Sequence, residues 1–83
     1  MDKIILASGQ SVDTDFCFAT SQRLIITVYG MTLPEAVSLL SDPDETRILT
    51  NRHANGREVT HEGYTKITAV TVENDHLRLI LEA

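Results

Sequence analysis

Three histidines are the side chains of this chain best suited to bind a metal ion or to act as general bases. They are His53, His61 and His76. Zinc-binding histidines converge on one point and are commonly about three to five residues apart. The histidines here are spaced more widely, so we predict solvated histidines on hairpins and no metal site. In the hairpin register predicted below, His53 lies opposite Glu58 as a cross-strand charge pair.

Cys17 is the only cysteine, and it stands between Phe16 and Phe18. A single cysteine forms no internal disulfide and no cysteine-based metal site. Its apolar neighbours favour a small core or half-buried residue over a reactive nucleophile. A chain without disulfides is typical of an intracellular protein.

Carboxylates occur in two close groups, Asp13 with Asp15 and Asp42 with Asp44 and Glu45. General acid–base chemistry needs two carboxyl groups whose environments separate their pKa values. Strand spacing places the first two on one face, where we expect them to be solvated. The second group lacks the D-x-D-x-D-G pattern of a calcium loop, so a helix end followed by a turn explains it better.

Catalytic and phosphate-binding motifs are missing from the sequence. Residues 7–11 read A-S-G-Q-S, which is not the G-x-S-x-G order of a serine elbow. The four glycines are isolated at predicted turns and form no phosphate loop. We therefore predict that the chain is not an enzyme and holds no cofactor.

Length and charge limit the classes of protein further. The 83 residues suit a single domain. Seven Lys and Arg residues against twelve carboxylates give a net charge of −5, which disfavours nucleic-acid binding. No apolar run approaches the length of about 20 residues that spans a membrane. The apolar stretch at the start is too brief and too strand-like for a signal peptide.

The residue pattern predicts an α+β fold that is mostly β, with about six antiparallel strands in the single domain 1–83. The stretch R-L-I-I-T-V-Y, residues 23–29, is apolar on both faces and is the best candidate for a central strand. In residues 12–20, alternation puts Thr14, Phe16 and Phe18 on one face, opposite Asp13, Asp15 and Cys17.

One short helix is predicted near residues 33–41, packed on the sheet. Thr32 and Glu35 fit a capping box, and Pro34 suits the first turn. An apolar stripe at helical spacing is expected to seal the sheet face, namely Leu33, Ala36, Val37 and Leu40. Pro43 ends the helix, and Asp42 or Ser41 caps a further single turn through Thr46.

Two hairpins are predicted, turning at residues 55–56 and 73–76. Asn55-Gly56 favours a two-residue loop that pairs Arg52 with Val59. This hairpin is mostly polar, so it should project from the body or lie at a sheet edge. In the second hairpin the inward-facing residues are Leu77, Leu79 and Leu81, with Val70 and Val72 matching them if a bulge lies near Thr68 or Ala69.

Binding through the surface is the remaining class of function. The candidate partner-binding residues lie on or beside the first hairpin: Arg52, His53, Arg57, Glu58 and Tyr64. Such a hairpin could extend a sheet in a protein partner by strand addition. Two alternatives stay open, a plain surface hairpin and core packing of Tyr64. Pairing of strand edges between copies, giving a homo-oligomer, also stays open.

Nearly the whole chain resembles short proteins of unknown function encoded in phage and prophage tail modules of Gram-positive, Firmicutes-type bacteria. The resemblance lies in an opening I-x-L-A-x-G strand, in the S-D-P-x-x-T stretch after the helix, and in a late G-Y-T. The matching residues after the opening strand are Ser41, Asp42, Pro43, Thr46, Ile48, Gly63, Tyr64 and Thr65. These motifs mark turns and carry no catalytic residues.

The resemblance implies a structural or accessory role in the virion, in the tail or baseplate region, and a location in the host cytoplasm or the virion. The expected partner is then a phage structural protein. The alternative is a small acidic accessory protein that inhibits a host protein, such as a defence or nucleic-acid-binding factor, by presenting carboxylates to a basic surface.

Overall fold

A computed structural model describes residues 1–83, which form eight β-strands and two short helices. The strands are β1 (Asp2–Ile5), β2 (Ser11–Thr14), β3 (Cys17–Ala19), β4 (Arg23–Tyr29), β5 (Ile48–Arg52), β6 (Glu58–Glu62), β7 (Lys66–Val72) and β8 (His76–Glu82). The helices are α1 (Leu33–Leu40) and α2 (Pro43–Thr46). The predicted fold class, mostly β with a short helix on an antiparallel sheet, is confirmed.

All strand pairs are antiparallel, in the order β6-β5-β1-β2-β4-β8-β7, with β3 pairing β4 beside β2. The predicted central position of β4 is confirmed, because β4 pairs with β8 along its whole length and with β2 and β3 on its other side. The strands β6 and β7 lie at the two ends of this order and form its two terminal edges, and the short β3 pairs on one side only.

The predicted second strand is interrupted at Asp15 and Phe16, which divides it into β2 and β3. Asp13 pairs with Tyr29, but Cys17 pairs with Ile26, so β2–β3 carries one more residue than β4 does. The hydroxyl of Thr27 fills the interruption by accepting the N–H groups of Asp15 and Phe16 at 3.0 and 3.1 Å. The extra residue turns Cys17 toward the core.

The sheet curls, and the core lies on its concave face. Three strand spacings separate β6 from β3, about 14 Å in a flat sheet. Yet His61 Nε2 on β6 lies 3.7 Å from Cys17 Sγ on β3. The core consists of Ile4, Leu6, Val12, Leu24, Ile26, Val28, Ala36, Leu40, Leu49, Tyr64, Leu77, Leu79 and Leu81.

The helix α1 covers part of the open side of the core. Its capping box is present, with Glu35 N–H donating to the Thr32 hydroxyl and Thr32 N–H donating to the Glu35 carboxylate. Only half of the predicted apolar stripe is buried. Ala36 and Leu40, one turn apart, are fully buried, whereas Leu33 and Val37 form the neighbouring row and are exposed. The helix lies at the margin of the curled sheet, so one row reaches the core.

The acidic turn after α1 has a structural use. Asp42 caps α2 by accepting the N–H of Asp44 at 3.0 Å, as predicted. The Glu45 carboxylate accepts the N–H and the hydroxyl of Ser8 at 2.9 and 2.8 Å. The acidic group therefore caps a helical turn and fastens it to the loop between β1 and β2.

The predicted register of the first hairpin is wrong by one residue. His53 N–H donates to Arg57 C=O and Gly56 N–H donates to His53 C=O, at 2.7 and 2.9 Å, which encloses a loop of three residues. Within this loop only Gly56 adopts a positive φ, of 92°. The predicted two-residue turn would need a positive φ at Asn55 as well, so it does not form. Arg52 consequently pairs with Glu58. The hairpin lies at a sheet edge, with β6 outermost.

The predictions for the second hairpin are largely confirmed. The register shifts between Ile67 and Ala69, so the bulge lies at Thr68. The three β8 leucines are buried in the core. Val72 is the exception, because it ends an edge strand and is 64% exposed.

Candidate functional site

Arg52 and Glu58, two of the predicted binding residues, neutralise each other. Arg52 Nε lies 2.6 Å from Glu58 Oε2 across the β5–β6 pair. Both side chains are about half exposed, with 53% and 44% of their surface accessible. A surface pair of this kind contributes at most about 1 kcal/mol to stability.

The predicted pairing of His53 with Glu58 is wrong, since His53 belongs to a different contact. His53 Nδ1 lies 3.1 Å from Asp2 Oδ2, and the N–H of Ala54 donates to Asp2 Oδ1 at 3.0 Å. These bonds fasten the hairpin tip to β1. Arg57 closes the loop opposite His53 and is exposed and without an ion-pair partner.

Tyr64 is a core residue and not a surface one. It is 9% exposed, and its hydroxyl donates to the carbonyl of Thr20 at the end of β3. Its ring meets His61 edge-on, with 6.4 Å between ring centroids. Of the two alternatives for Tyr64, core packing is the one observed. The other four predicted residues share the hairpin surface, and their role in binding stays a prediction.

A polar network that the sequence did not reveal lies where β2, β4 and β8 meet. Asp15 accepts the hydroxyl of Thr27 at 2.6 Å and that of Tyr29 at 2.8 Å. The Tyr29 ring stacks on His76, with 4.9 Å between centroids. The hydrogen bonds from Thr27 and Tyr29 lower the pKa of Asp15, and the Asp15 carboxylate raises the pKa of Tyr29 to about 12. At neutral pH Asp15 is a carboxylate and Tyr29 a neutral phenol.

Asp13 and Asp15, which were predicted to be solvated side by side on one face, each form hydrogen bonds to other side chains. Lys3 Nζ donates to Asp13 at 2.6 Å, and this hydrogen bond lowers the pKa of Asp13. The two carboxylates therefore have separate partners. Both pKa values move downward, so the two groups lack the opposed pKa values of an acid–base pair.

Cys17 and His61 form the one contact in the molecule that resembles a nucleophilic dyad, with 3.7 Å between Sγ and Nε2. An activated cysteine needs a lowered pKa beside a cationic partner. Burial instead raises the pKa of Cys17 to about 11 and lowers the pKa of His61. Both groups are thus held neutral. The residues lie 44 positions apart in the chain, so spacing gave no signal of the contact.

Two open cavities of about 430 and 400 Å³ flank the start of α1, and both include Gly30, Met31 and Glu35. Neither is lined by Cys17 or His61. No group of three or more His, Cys, Asp or Glu side chains is placed to hold a metal ion. Neither helix has the length and apolarity to cross a membrane.

The most unusual surface feature is a pair of exposed aromatic side chains at the β2–β3 interruption. Phe16 is 48% exposed and Phe18 is 53% exposed. The predicted face shared by Thr14, Phe16 and Phe18 is wrong, because the extra residue reverses the alternation after Thr14. Thr14 is fully buried, whereas the two phenylalanines face solvent. Large aromatic residues are enriched in protein interfaces.

Comparison of the chain with known protein families, with characterised proteins and with solved structures gives no match. Function is therefore inferred from the residues and the surface of this chain.

Proposed function

We propose that this chain is a non-enzymatic, protein-binding component of a phage or prophage, with a structural or accessory role in the tail or baseplate region. The sequence resemblance supports the phage setting. The exposure of Phe16 and Phe18 supports binding of a protein, and it is the single observation on which the proposal rests.

Phe18 begins an apolar row that crosses four strands on the convex face. It pairs with Ile25 on β4, Ile25 pairs with Ile80 on β8, and Ile80 pairs with Ala69 on β7. The neighbours of Ile25 and Ile80 along their strands are fully buried leucine and isoleucine side chains of the core, so alternation directs Ile25 and Ile80 away from it. We call Phe18, Ile25, Ile80 and Ala69 the convex patch, and the exposed Phe16 lies two residues before Phe18 at its border.

Polar rows border the convex patch on both sides. On one side Glu82 pairs with Arg23 and Lys66, and Arg23 Nε lies 3.5 Å from a Glu82 carboxylate oxygen. On the other side the exposed residues Arg78 and Thr71 pair with each other, next to the buried Thr27. An apolar centre with a polar rim is the usual anatomy of a protein–protein interface.

The titratable groups support a role without catalysis. Burial keeps Cys17 a thiol, and the Asp15 carboxylate keeps Tyr29 a neutral phenol. Neither side chain is a nucleophile or a base at neutral pH. Binding through the convex patch requires neither of them.

Affinity capture tests the proposal. The purified chain is immobilised and exposed to a lysate of the phage or lysogen that encodes it, and captured proteins are identified by mass spectrometry. We expect a tail or baseplate protein to be retained. The double variant Phe16→Ser/Phe18→Ser should weaken its binding at least about thirtyfold, because truncated aromatic anchors commonly cost about 2 kcal/mol or more.

The double variant Arg52→Ala/Arg57→Ala is the matched control, since it changes two exposed residues of the first hairpin. It should retain the captured protein. Loss of capture in this variant alone would assign the contact to the hairpin. Salt-sensitive capture of a basic host protein, with no virion protein, would contradict the proposal in favour of the inhibitor.

A further inference from the structure

We propose that two copies of this chain pair through the edge of β7, forming a continuous antiparallel sheet about a two-fold axis at Val70. This inference is separate from the proposed function, because it concerns the β7 edge and not the convex patch.

The segment I-T-A-V-T-V, residues 67–72, forms most of this edge and contains no charged residue, proline or glycine. Natural proteins commonly protect edge strands with charges, proline or a covering element. Within residues 67–72 the bulge at Thr68 is the only such device, and the single charge on β7 is Lys66 at its first position. Val72 is 64% exposed, and Leu33 and Val37 are exposed on α1, the helix that packs beside β7.

The backbone groups that point away from β8 follow from the pairing pattern. Glu73 N–H donates to His76 C=O at 2.9 Å, so this pair is hydrogen-bonded. Alternation then directs the N–H and C=O groups of Val70 and Val72 outward. Beyond the bulge Ile67 pairs with Leu81. The extra residue in the bulge means that the N–H and C=O groups of Ile67 also point away from β8. The three outward residues are therefore Ile67, Val70 and Val72.

A two-fold axis at Val70 matches every outward residue with another outward residue. Val70 lies opposite Val70 of the second copy, and Ile67 lies opposite Val72. The three pairs, each exchanging two bonds, give about six backbone hydrogen bonds. The paired side chains also share a face, because the β8 partners of Ile67, Val70 and Val72 are all core leucines.

The charges at the two ends of the strand are complementary in the same register. Counting the bulge as one position, Lys66 of each copy lies opposite Glu73 of the other. Neither Lys66 nor Glu73 has an ion-pair partner within its own chain. In the dimer each Lys66 faces a Glu73 of the other copy, so two ion pairs form. These pairs favour association in a protein whose net charge of −5 otherwise opposes it.

Charge reversal provides the test. Sedimentation velocity across a hundredfold range of concentration, reaching about 1 mM, should show a monomer–dimer equilibrium for the unmodified chain. Lys66→Glu and Glu73→Lys should each weaken the dimer about tenfold, because each turns two attractive pairs into repulsive ones. The double variant Lys66→Glu/Glu73→Lys should restore the affinity. Both positions are exposed, so we expect both variants to fold, with a small loss of stability for Lys66→Glu because it places two carboxylates opposite each other at Glu82.

Two lysine substitutions, one on each edge, test the edge itself, with Val70 half-buried and Thr60 exposed. Val70→Lys places two lysines together at the two-fold axis and should abolish the dimer, whereas Thr60→Lys at the middle of β6 should leave it intact. Circular dichroism verifies that each variant is folded. A chain that stays monomeric at every concentration overturns the inference, as does a dimer that the two charge reversals leave unchanged. Phe16→Ser/Phe18→Ser should not alter the dimer, so this inference and the proposed function fail separately.

Discussion

The two open edges of the sheet differ in what they offer to a second copy of the chain. On β6 the N–H groups that point outward belong to Glu58, Thr60 and Glu62. This follows because His53 and Arg57 are a hydrogen-bonded pair and such pairs alternate along the hairpin. Antiparallel self-pairing about Thr60 would set Glu58 against Glu62 twice. On β7 the equivalent operation sets Lys66 against Glu73 twice.

The placement of a few charges thus distinguishes an edge that would repel its own copy from one that would attract it. Both edges expose backbone groups and are similar in length, with five residues in β6 and seven in β7. Like charges directly opposite each other destabilise a strand pair, and opposite charges stabilise it. The polar hairpin, which the sequence singled out for partner binding, is thus the edge protected against self-association.

The largest expected contrast between the edges lies in the core beneath them. Leu49, on the strand next to β6, is fully buried. Leu49→Ala should lower the free energy of unfolding by about 3 kcal/mol, since it removes transfer energy and leaves a cavity. Val72→Ala at the exposed end of β7 should cost less than about 0.5 kcal/mol. Urea denaturation at low protein concentration measures both losses, and equal losses would contradict this expectation.

Tyr64 connects the two edges, so its hydroxyl offers a second test. Tyr64→Phe keeps the buried ring but removes the donor to the Thr20 carbonyl. We expect the free energy of unfolding to fall by about 1 kcal/mol, the usual net value of a hydrogen bond, plus any cost of the unpaired carbonyl. Thermal denaturation provides the measurement. An unchanged midpoint would mean that the hydroxyl contact does not hold the β6–β7 connection to β3.

The ion pair on the β6 edge should contribute less. A double-mutant cycle with Arg52→Ala and Glu58→Ala should give a coupling energy of about 0.5 kcal/mol, because the pair is half exposed and screened by solvent. Raising the salt concentration should reduce this coupling. A coupling above about 1.5 kcal/mol would show that the edge charges stabilise the fold as well as opposing self-pairing.

The smallest effect should appear as a pH dependence at His61, behind the β6 edge. Burial lowers the pKa of His61 below 6.5, so the unfolded chain binds the proton more readily than the folded chain does. The stability associated with neutral His61 is therefore present above pH 6.5 and declines as the pH falls. His61→Gln should lessen the loss of stability between about pH 7.5 and about pH 5, followed by thermal denaturation. An identical pH profile would show that the imidazole is solvated.

The alternation of apolar residues was sufficient to predict most of the sheet. Leu24, Ile26 and Val28 recur every second residue, as do the β8 leucines, because each side chain is half of a buried face. The capping box around Thr32 and Glu35 is equally local, and it was found for that reason. These features depend on neighbours in the chain, which the sequence displays directly.

Features that depend on distant residues were missed. The interruption at Asp15 depends on the Thr27 hydroxyl, which belongs to another strand. The loop at Asn55-Gly56 takes three residues because Val59 and His61 must turn inward beside Leu49, whereas Glu58 and Glu62 face solvent. The convex patch exists only because the strand order places β3, β4, β8 and β7 side by side. Sequence spacing alone does not specify that order.

The position of β8 has a consequence for the way this chain reaches its native state. In the middle of the sheet, β4 pairs with β8, which lies far from it in the sequence. In the same way, β1 pairs with the distant strand β5. Contacts of such long range slow folding. During translation, the edge of β4 that pairs with β8 stays unpaired until residues 76–82 have left the ribosome. That interval is when the nascent chain is most exposed to aggregation and most dependent on chaperones.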